Sequence, residues 1–166
     1  TDDAEGEYTL VGSLESCSLD SIRAAIKTLT GSIMQVPSSV SAIKVDGQRA
    51  YAKVRSGDEV KLAARPIEVT EFVITGEPRK ADVDGRDFID LDVRVTCSSG
   101  TYIRALARDL GIALGSFGHL TALRRTRIGA YSVDAAQSLD GLTRDSLKVT
   151  SMFDAVAGFE CIELSE

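Results

Sequence analysis

One histidine and three cysteines are all that the 166 residues offer for imidazole or thiol chemistry. His119 lies in Gly115-Ser116-Phe117-Gly118-His119 beside apolar residues, and no Gly-x-Ser-x-Gly elbow occurs, which argues against a Ser-His-Asp hydrolase. His119 reads as a structural or edge residue. Cys17, Cys97 and Cys161 are odd in number and lack Cys-x-x-Cys spacing. With a single histidine they make neither a disulfide framework nor a zinc cage, so reduced thiols and no metal are expected. A Walker loop and a Gly-x-Gly-x-x-Gly fingerprint are also absent. No apolar run approaches the roughly 18 residues of a membrane helix and no leader pattern is visible, so a cytoplasmic protein without membrane contact is expected.

Positive charge is in the minority: 19 Lys and Arg stand against 25 Asp and Glu, a net charge of -6. A surface that coats nucleic acid along its whole extent does not fit that balance, although a local basic patch does. Hydrophobic residues at 43% and charged residues at 27% suit one soluble domain with a real core. The chain opens at Thr1, in the acidic run Thr1-Asp2-Asp3-Ala4-Glu5-Gly6 without an initiator methionine, which reads as a piece of a longer protein.

Along the chain, Ser18 is a good N-cap, Asp20 suits a positive first turn, and Leu19, Ile22, Ile26 and Leu29 recur at helical spacing until Gly31. From Gln35 to Gly57 there is little to bury, and the stretch reads as an exposed excursion carrying Lys44, Arg49, Lys53 and Arg55. Ile67 to Thr75 is β-branched, and Ile89, Leu91, Val93, Val95 and Cys97 alternate with polar residues. The Asp84-Gly85 turn between these runs predicts an antiparallel pair with one wet face, and Cys97 is expected to be a small core residue. A strand ending in a Gly turn then leads into a helix. Leu106, Leu110 and Leu114 form its apolar stripe, and Arg104 with Arg108 faces away from it. Leu120 to Arg127 and Ile128 to Val133 read as strand material broken by Gly129.

Between Arg104 and Arg127 lie five arginines and one acid, Asp109, a local charge of +4. The planar fork of arginine suits phosphate, so an anionic substrate fits; pairing with surface carboxylates fits as well. On a strand, Arg124 and Arg125 would point to opposite faces. The turn from Ser98 to Thr101 before a helix favours an anion, or is simply a cap.

The run from Val95 to Arg104 (Val-Thr-Cys-Ser-Ser-Gly-Thr-Tyr-Ile-Arg), with Leu106, Asp109-Leu110-Gly111, Leu114-Gly115 and Leu123-Arg124-Arg125-Thr126, resembles the TruB family of tRNA pseudouridine synthases. Thr1 to Gly6, Gln35-Val36-Pro37-Ser38, Ser41-Ala42-Ile43-Lys44, Gly47, Tyr51, Arg55-Ser56-Gly57 and Arg65-Pro66-Ile67 match it in the same order. The resemblance implies an α+β fold with a largely antiparallel sheet and flanking helices. It also implies isomerisation of uridine-55 in the T-loop of tRNA, without metal or cofactor. In that reading Arg104 pairs with the catalytic aspartate, Tyr102 lines the pocket of the flipped base and Leu123 packs on it. Lys44, Arg49, Arg55, Arg108, Arg124 and Arg125 are the expected RNA contacts, the T-stem-loop is the partner, and a monomer is expected. Flipping a base out of a folded loop needs such an apolar slot with phosphate contacts around it.

Departures matter too. Neither the Gly-Thr-Leu-Asp-Pro motif that carries the family nucleophile nor the Lys-Thr-Tyr block occurs, and neither Asp2 nor Asp3 takes that role. Ser99-Gly100 stands where the family has Lys-Gly, and Ser38 and Val40 replace a proline and an aromatic. Residues 1-137 are therefore expected to be the second part of a catalytic domain, with 35-57 as a thumb-like RNA-contacting insertion, and 138-166 the start of a C-terminal segment. Alone, this chain is expected to be inactive. The alternative is a non-catalytic tRNA-binding or tRNA-remodelling module.

Overall fold

In a computed structural model, the structure describes residues 12–14, 17–38, 44–45, 48–49, 62–83 and 85–159. Arg55, Asp84, Cys161, the Thr1 to Gly6 run and most of the expected excursion lie outside the described residues. The chain divides into two compact units, residues 1–122 and residues 123–166.

In the first unit, α1 (Leu19–Thr28) begins where Ser18 Oγ accepts the Ser21 amide at 3.1 Å, which supplies one of the unpaired N–H groups of a helix start. Its apolar face, Ile22, Ala25 and Ile26, is buried. The helix ends at Leu29, and the chain reverses at Gly31, whose φ of 96° suits glycine. Next comes β1 (Gly31–Gln35), antiparallel to β4 (Arg65–Ile74), which in turn pairs antiparallel with β7 (Val93–Cys97), giving the order β1-β4-β7. Short strands β2 (Lys44–Val45) and β3 (Gln48–Arg49) form a separate pair.

The central strand β4 carries the core. Ile67, Val69 and Phe72 are all buried, yet Val69 and Phe72 are three residues apart, which strict alternation forbids. A bulge resolves the conflict: the register steps from Val69↔Cys97 to Glu71↔Thr96, leaving Thr70 as the extra residue. The Thr70 hydroxyl is spent on the Thr96 carbonyl at 3.1 Å. Against the inward face pack α1 and a second helix, α2 (Ile103–Ala113), which contributes Leu106 and Leu110, with Cys97 and Leu114 partly buried beside them. Leu106 is 1% exposed, and burying it stabilises the fold by about 2–3 kcal/mol.

Two expectations change here. The alternating run from Ile89 to Cys97 is not one strand: it breaks at Leu91-Asp92 into β6 (Arg86–Asp90) and β7. The turn at Gly85, φ 72°, joins β6 to β5 (Arg79–Val83), a hairpin of its own, rather than closing the pair with β4. Arg79 chelates Asp92 with both guanidinium nitrogens, tying that hairpin to the break. The antiparallel pairing of the 67–75 run with the later one is correct, but the ladder is confined to Val93–Cys97, extended by one bond from the Thr75 amide to the Asp92 carbonyl at 2.8 Å.

The second unit holds β8 (Arg127–Ile128), β9 (Tyr131–Ser132), a 3-10 turn at Val133–Ala135 and α3 (Met152–Ala155). Residues 121–126 are not strand, a third correction, and the reversal at Gly129 has φ 56°. No residue of 123–159 is buried. Hydrogen bonds hold this unit instead: the Gln137 side chain donates to the Ser146 carbonyl at 2.7 Å and accepts from the Lys148 amide at 2.8 Å. The Tyr131 hydroxyl donates to the Ala155 carbonyl at 2.9 Å. Helices and antiparallel sheets together make the chain α+β. Among the described residues no helix is long and apolar enough to cross a membrane.

Candidate active site

Strand β7 stops at Cys97, and the turn that follows places Tyr102 and Arg104 at the head of α2. Gly100 has φ 84°, a conformation that other residues adopt only with strain. The Ser98 amide still donates to the Glu68 carbonyl at 2.8 Å, and Ser98 Oγ accepts from the Glu68 amide at 3.0 Å, so the turn is pinned to the sheet on one side.

On the other side it is pinned by Gln35. The Tyr102 amide donates to Gln35 Oε1 at 2.9 Å, and Gln35 Nε2 donates to the Tyr102 carbonyl at 3.1 Å. Gln35 is 1% exposed and sits on the same strand phase as Ile33, at the end of β1. The excursion expected to be exposed from Gln35 onward thus starts on buried ground, since Pro37 and Ser38 are buried too. In the sequence alone Gln35 reads as loop, because of its polarity. The available signal was a polar residue on the inward phase of a strand.

Tyr102 is the N-cap residue of α2, half-buried and with no side-chain cap bond, and the first turn carries no acid. Arg104 is half-buried in that first turn. A cation at the positive end of a helix dipole is unfavourable unless an anion faces it, so this helix head is electrostatically suited to a carboxylate or phosphate. Arg108, one turn later, donates through Nη2 to the Val36 carbonyl at 2.7 Å and through Nε to Asp109 Oδ1 at 2.9 Å. Its charge is therefore partly matched within the protein.

The arginine-rich stretch is contiguous in sequence but divided between units: Arg104 and Arg108 belong to the first, Arg124, Arg125 and Arg127 to the second. Arg124 and Arg125 are both exposed and, not being on a strand, are not held to opposite faces; Leu123 is 59% exposed. Lys44 and Arg49 are register partners in the β2–β3 pair. His119 meets Phe88 edge-on at 6.0 Å between ring centroids, a packing role. Among the described residues no group of three His, Cys, Asp or Glu could hold a metal ion.

The geometry thus gathers a turn, an aromatic residue and an arginine at one helix head. A family model described as the N-terminal domain of TruB family pseudouridylate synthases matches residues 1–103. The chain belongs to the TruB family. A second model, for the C-terminal domain of tRNA pseudouridylate synthase B, matches residues 104–156. Similar proteins include the tRNA pseudouridine synthase B of Paenarthrobacter aurescens (strain TC1), 56% identical over 152 residues, 92% of this chain and 48% of that protein. Those of Streptomyces griseus and Thermobifida fusca are each 52% identical over 157 residues, 95% of this chain and 52% and 53% of the respective relatives. The chain thus spans about half the length of the TruB relatives it matches.

Proposed function

We infer that the protein isomerises uridine-55 in the T-loop of tRNA to pseudouridine. Substrate and product are isomers, so the reaction consumes no co-reactant. Its demands are a flipped base, a carboxylate nucleophile held ionised, and grip on the surrounding phosphates. The observation that carries this reading is the head of α2, where Tyr102 is fixed at the N-cap and Arg104 stands in a first turn that lacks any acid. An arginine so placed holds a carboxylate ionised and oriented, and the half-buried Tyr102 offers one wall of a uracil slot. Leu123 supplies an apolar contact to the base. Lys44, Arg49, Arg55, Arg124 and Arg125 grip phosphate, and Arg108, held by Asp109 and the Val36 carbonyl, stands beside them as a further RNA contact. Residues 1-137 act as the second part of the catalytic domain, with 35-57 closing on the RNA and 138-166 starting a C-terminal segment.

None of the 166 residues forms a Gly-Thr-Leu-Asp-Pro motif, so the nucleophile is not among them and the chain by itself gives no turnover. The test is Arg104→Ala in the full-length protein, assayed for pseudouridine in a T-stem-loop minihelix. Formation is expected to fall by about 10³-fold or more, the scale of losing a preorganised charge contact, while RNA affinity in a gel shift stays near wild type. Near-wild-type turnover would remove Arg104 from the chemistry. A full-length wild type that binds the minihelix without converting it would leave the tRNA-binding module as the correct reading.

A further inference from the structure

Gln35 is a polar side chain placed where a strand normally buries an apolar one. It is 1% exposed, on the same face as Ile33, and burying an amide there is unfavourable unless its polar atoms are paired. Its amide pairs with the main chain of a single residue, Tyr102: Oε1 takes the amide proton at 2.9 Å and Nε2 donates to the carbonyl at 3.1 Å. The side chain acts as a short stretch of strand, continuing the pairing of the sheet across to a segment 67 residues away. The same Tyr102 carbonyl accepts the first helical bond of α2, from the Leu106 amide at 3.1 Å. One carbonyl therefore joins the clamp and the helix start.

The neighbouring residue repeats the tie. Arg108 donates to the Val36 carbonyl at 2.7 Å, and Asp109 Oδ1 holds the same guanidinium through Nε at 2.9 Å. Residues Gln35 and Val36 are thus fastened to the first two turns of α2 by three hydrogen bonds. Tyr102 has φ -98° and ψ 106°, outside the helical region, so the helix itself does not fix its backbone.

The geometry points to Gln35 as a positioning residue for the pseudouridine-forming site: it sets the backbone of Tyr102, and through the helix start the placement of Arg104. This rests on the proposed function for its chemical consequence, though not for the clamp itself. Gln35 touches neither base nor nucleophile in this assignment. Its effect belongs to the rate of the bound complex rather than to RNA affinity.

The test uses the full-length protein with Gln35→Leu, which removes both bonds, and Gln35→Glu, which keeps the acceptor for the Tyr102 amide but turns a second carboxylate oxygen on its carbonyl. Three readouts are taken: hydrogen exchange at the Tyr102 amide, single-turnover pseudouridine formation at saturating minihelix RNA, and RNA Kd. In Gln35→Leu the Tyr102 amide is expected to lose its protection. The single-turnover rate should fall on the order of tenfold to a hundredfold, the effect of a reacting group displaced by about 1 Å, while Kd changes by less than about threefold. Gln35→Glu should retain more amide protection and fall in rate nonetheless. A wild-type rate in a variant that has lost protection overturns the proposal, as does unchanged protection in Gln35→Leu. If Gln35→Leu fails to fold, Gln35→Glu decides alone: a rate equal to wild type overturns the proposal. A wild type that makes no pseudouridine overturns the functional reading instead, and with it the catalytic consequence of the clamp, while amide exchange still judges the clamp.

Discussion

Single side chains in this protein do work that their polarity conceals. Gln35 reads as the start of a loop in the sequence, since glutamine at the edge of an apolar strand is a common exit signal, yet it is among the most buried residues. The helix start that carries Tyr102 and Arg104 was legible from the Gly turn and the leucine stripe, and the roles proposed for them only from the family resemblance; the group that fixes the head was not legible, because the contact spans 67 residues. Glu71 illustrates the opposite case, a charged residue whose role is only electrostatic. It accepts from Arg94 at 3.1 and 3.3 Å and from the Thr96 hydroxyl at 3.0 Å. These bonds, the Arg94 pair first, hold its carboxyl below the ordinary carboxylate range. A carboxyl depressed in the folded state contributes stability that is complete above its unfolded value and is lost as pH falls through the folded one. The Tm advantage of wild type over Glu71→Gln should therefore be present at neutral pH and shrink below about pH 4. A difference independent of pH down to acid would contradict this account, and at so exposed a site it should also weaken in salt.

At the scale of elements, phase was readable and partnership was not. The cap at Ser18, the Leu106-Leu110-Leu114 stripe and the turn at Gly85 all stand where local chemistry puts them. The alternation from Ile89 to Cys97 continues without a fault across the break at Leu91-Asp92, because period two sets which face a residue takes and says nothing about which strand it meets. The partner of β6 stayed hidden for a simpler reason: Arg79-Lys80-Ala81-Asp82-Val83 is too polar to look like a strand, and it forms one only as half of a hairpin. Helix α2 makes a sharper demand. A Cβ on Gly111 would lie 2.2 Å from the Gly118 nitrogen and 2.4 Å from the Phe117 carbonyl carbon, both main chain. In an open helix, replacing glycine by alanine stabilises by about 1 kcal/mol. Here overpacking opposes it by about 1–3 kcal/mol or more, because backbone cannot swing aside. Gly111→Ala is accordingly expected to lower Tm, and a raised Tm in thermal unfolding would show that the loop at 117–118 can retreat.

For the whole molecule, two divisions of the chain disagree informatively. Family models change over between residues 103 and 104, inside the first turn of α2, whereas the compact units part between 122 and 123. Leu106 and Leu110 belong to the same core as Ile22 and Val69, so the first unit needs α2 entire. A chain ended after Ala122 should unfold cooperatively by circular dichroism, and one ended after Ile103 should not; equal cooperativity would mean that α1 and the sheet suffice. With no tryptophan in the sequence, a single one introduced on either unit would report on that unit alone. The net charge of -6 is unevenly spread: from Arg104 to Arg127 five arginines face the single acid Asp109, whereas acids outnumber bases in the rest of the chain. The bulge at Thr70 has one further consequence. It gives β4 one residue of slack, like the offset tooth of a vernier, and everything that follows is read against it. Loss of Thr70 alone would take up that slack: Val69↔Cys97 and Glu71↔Thr96 become successive rungs of a regular ladder, with Val69 and Phe72 still inward and Glu71 still outward. Beyond the bulge no residue is spare, so losing Val73 would turn Ile74 to the opposite face.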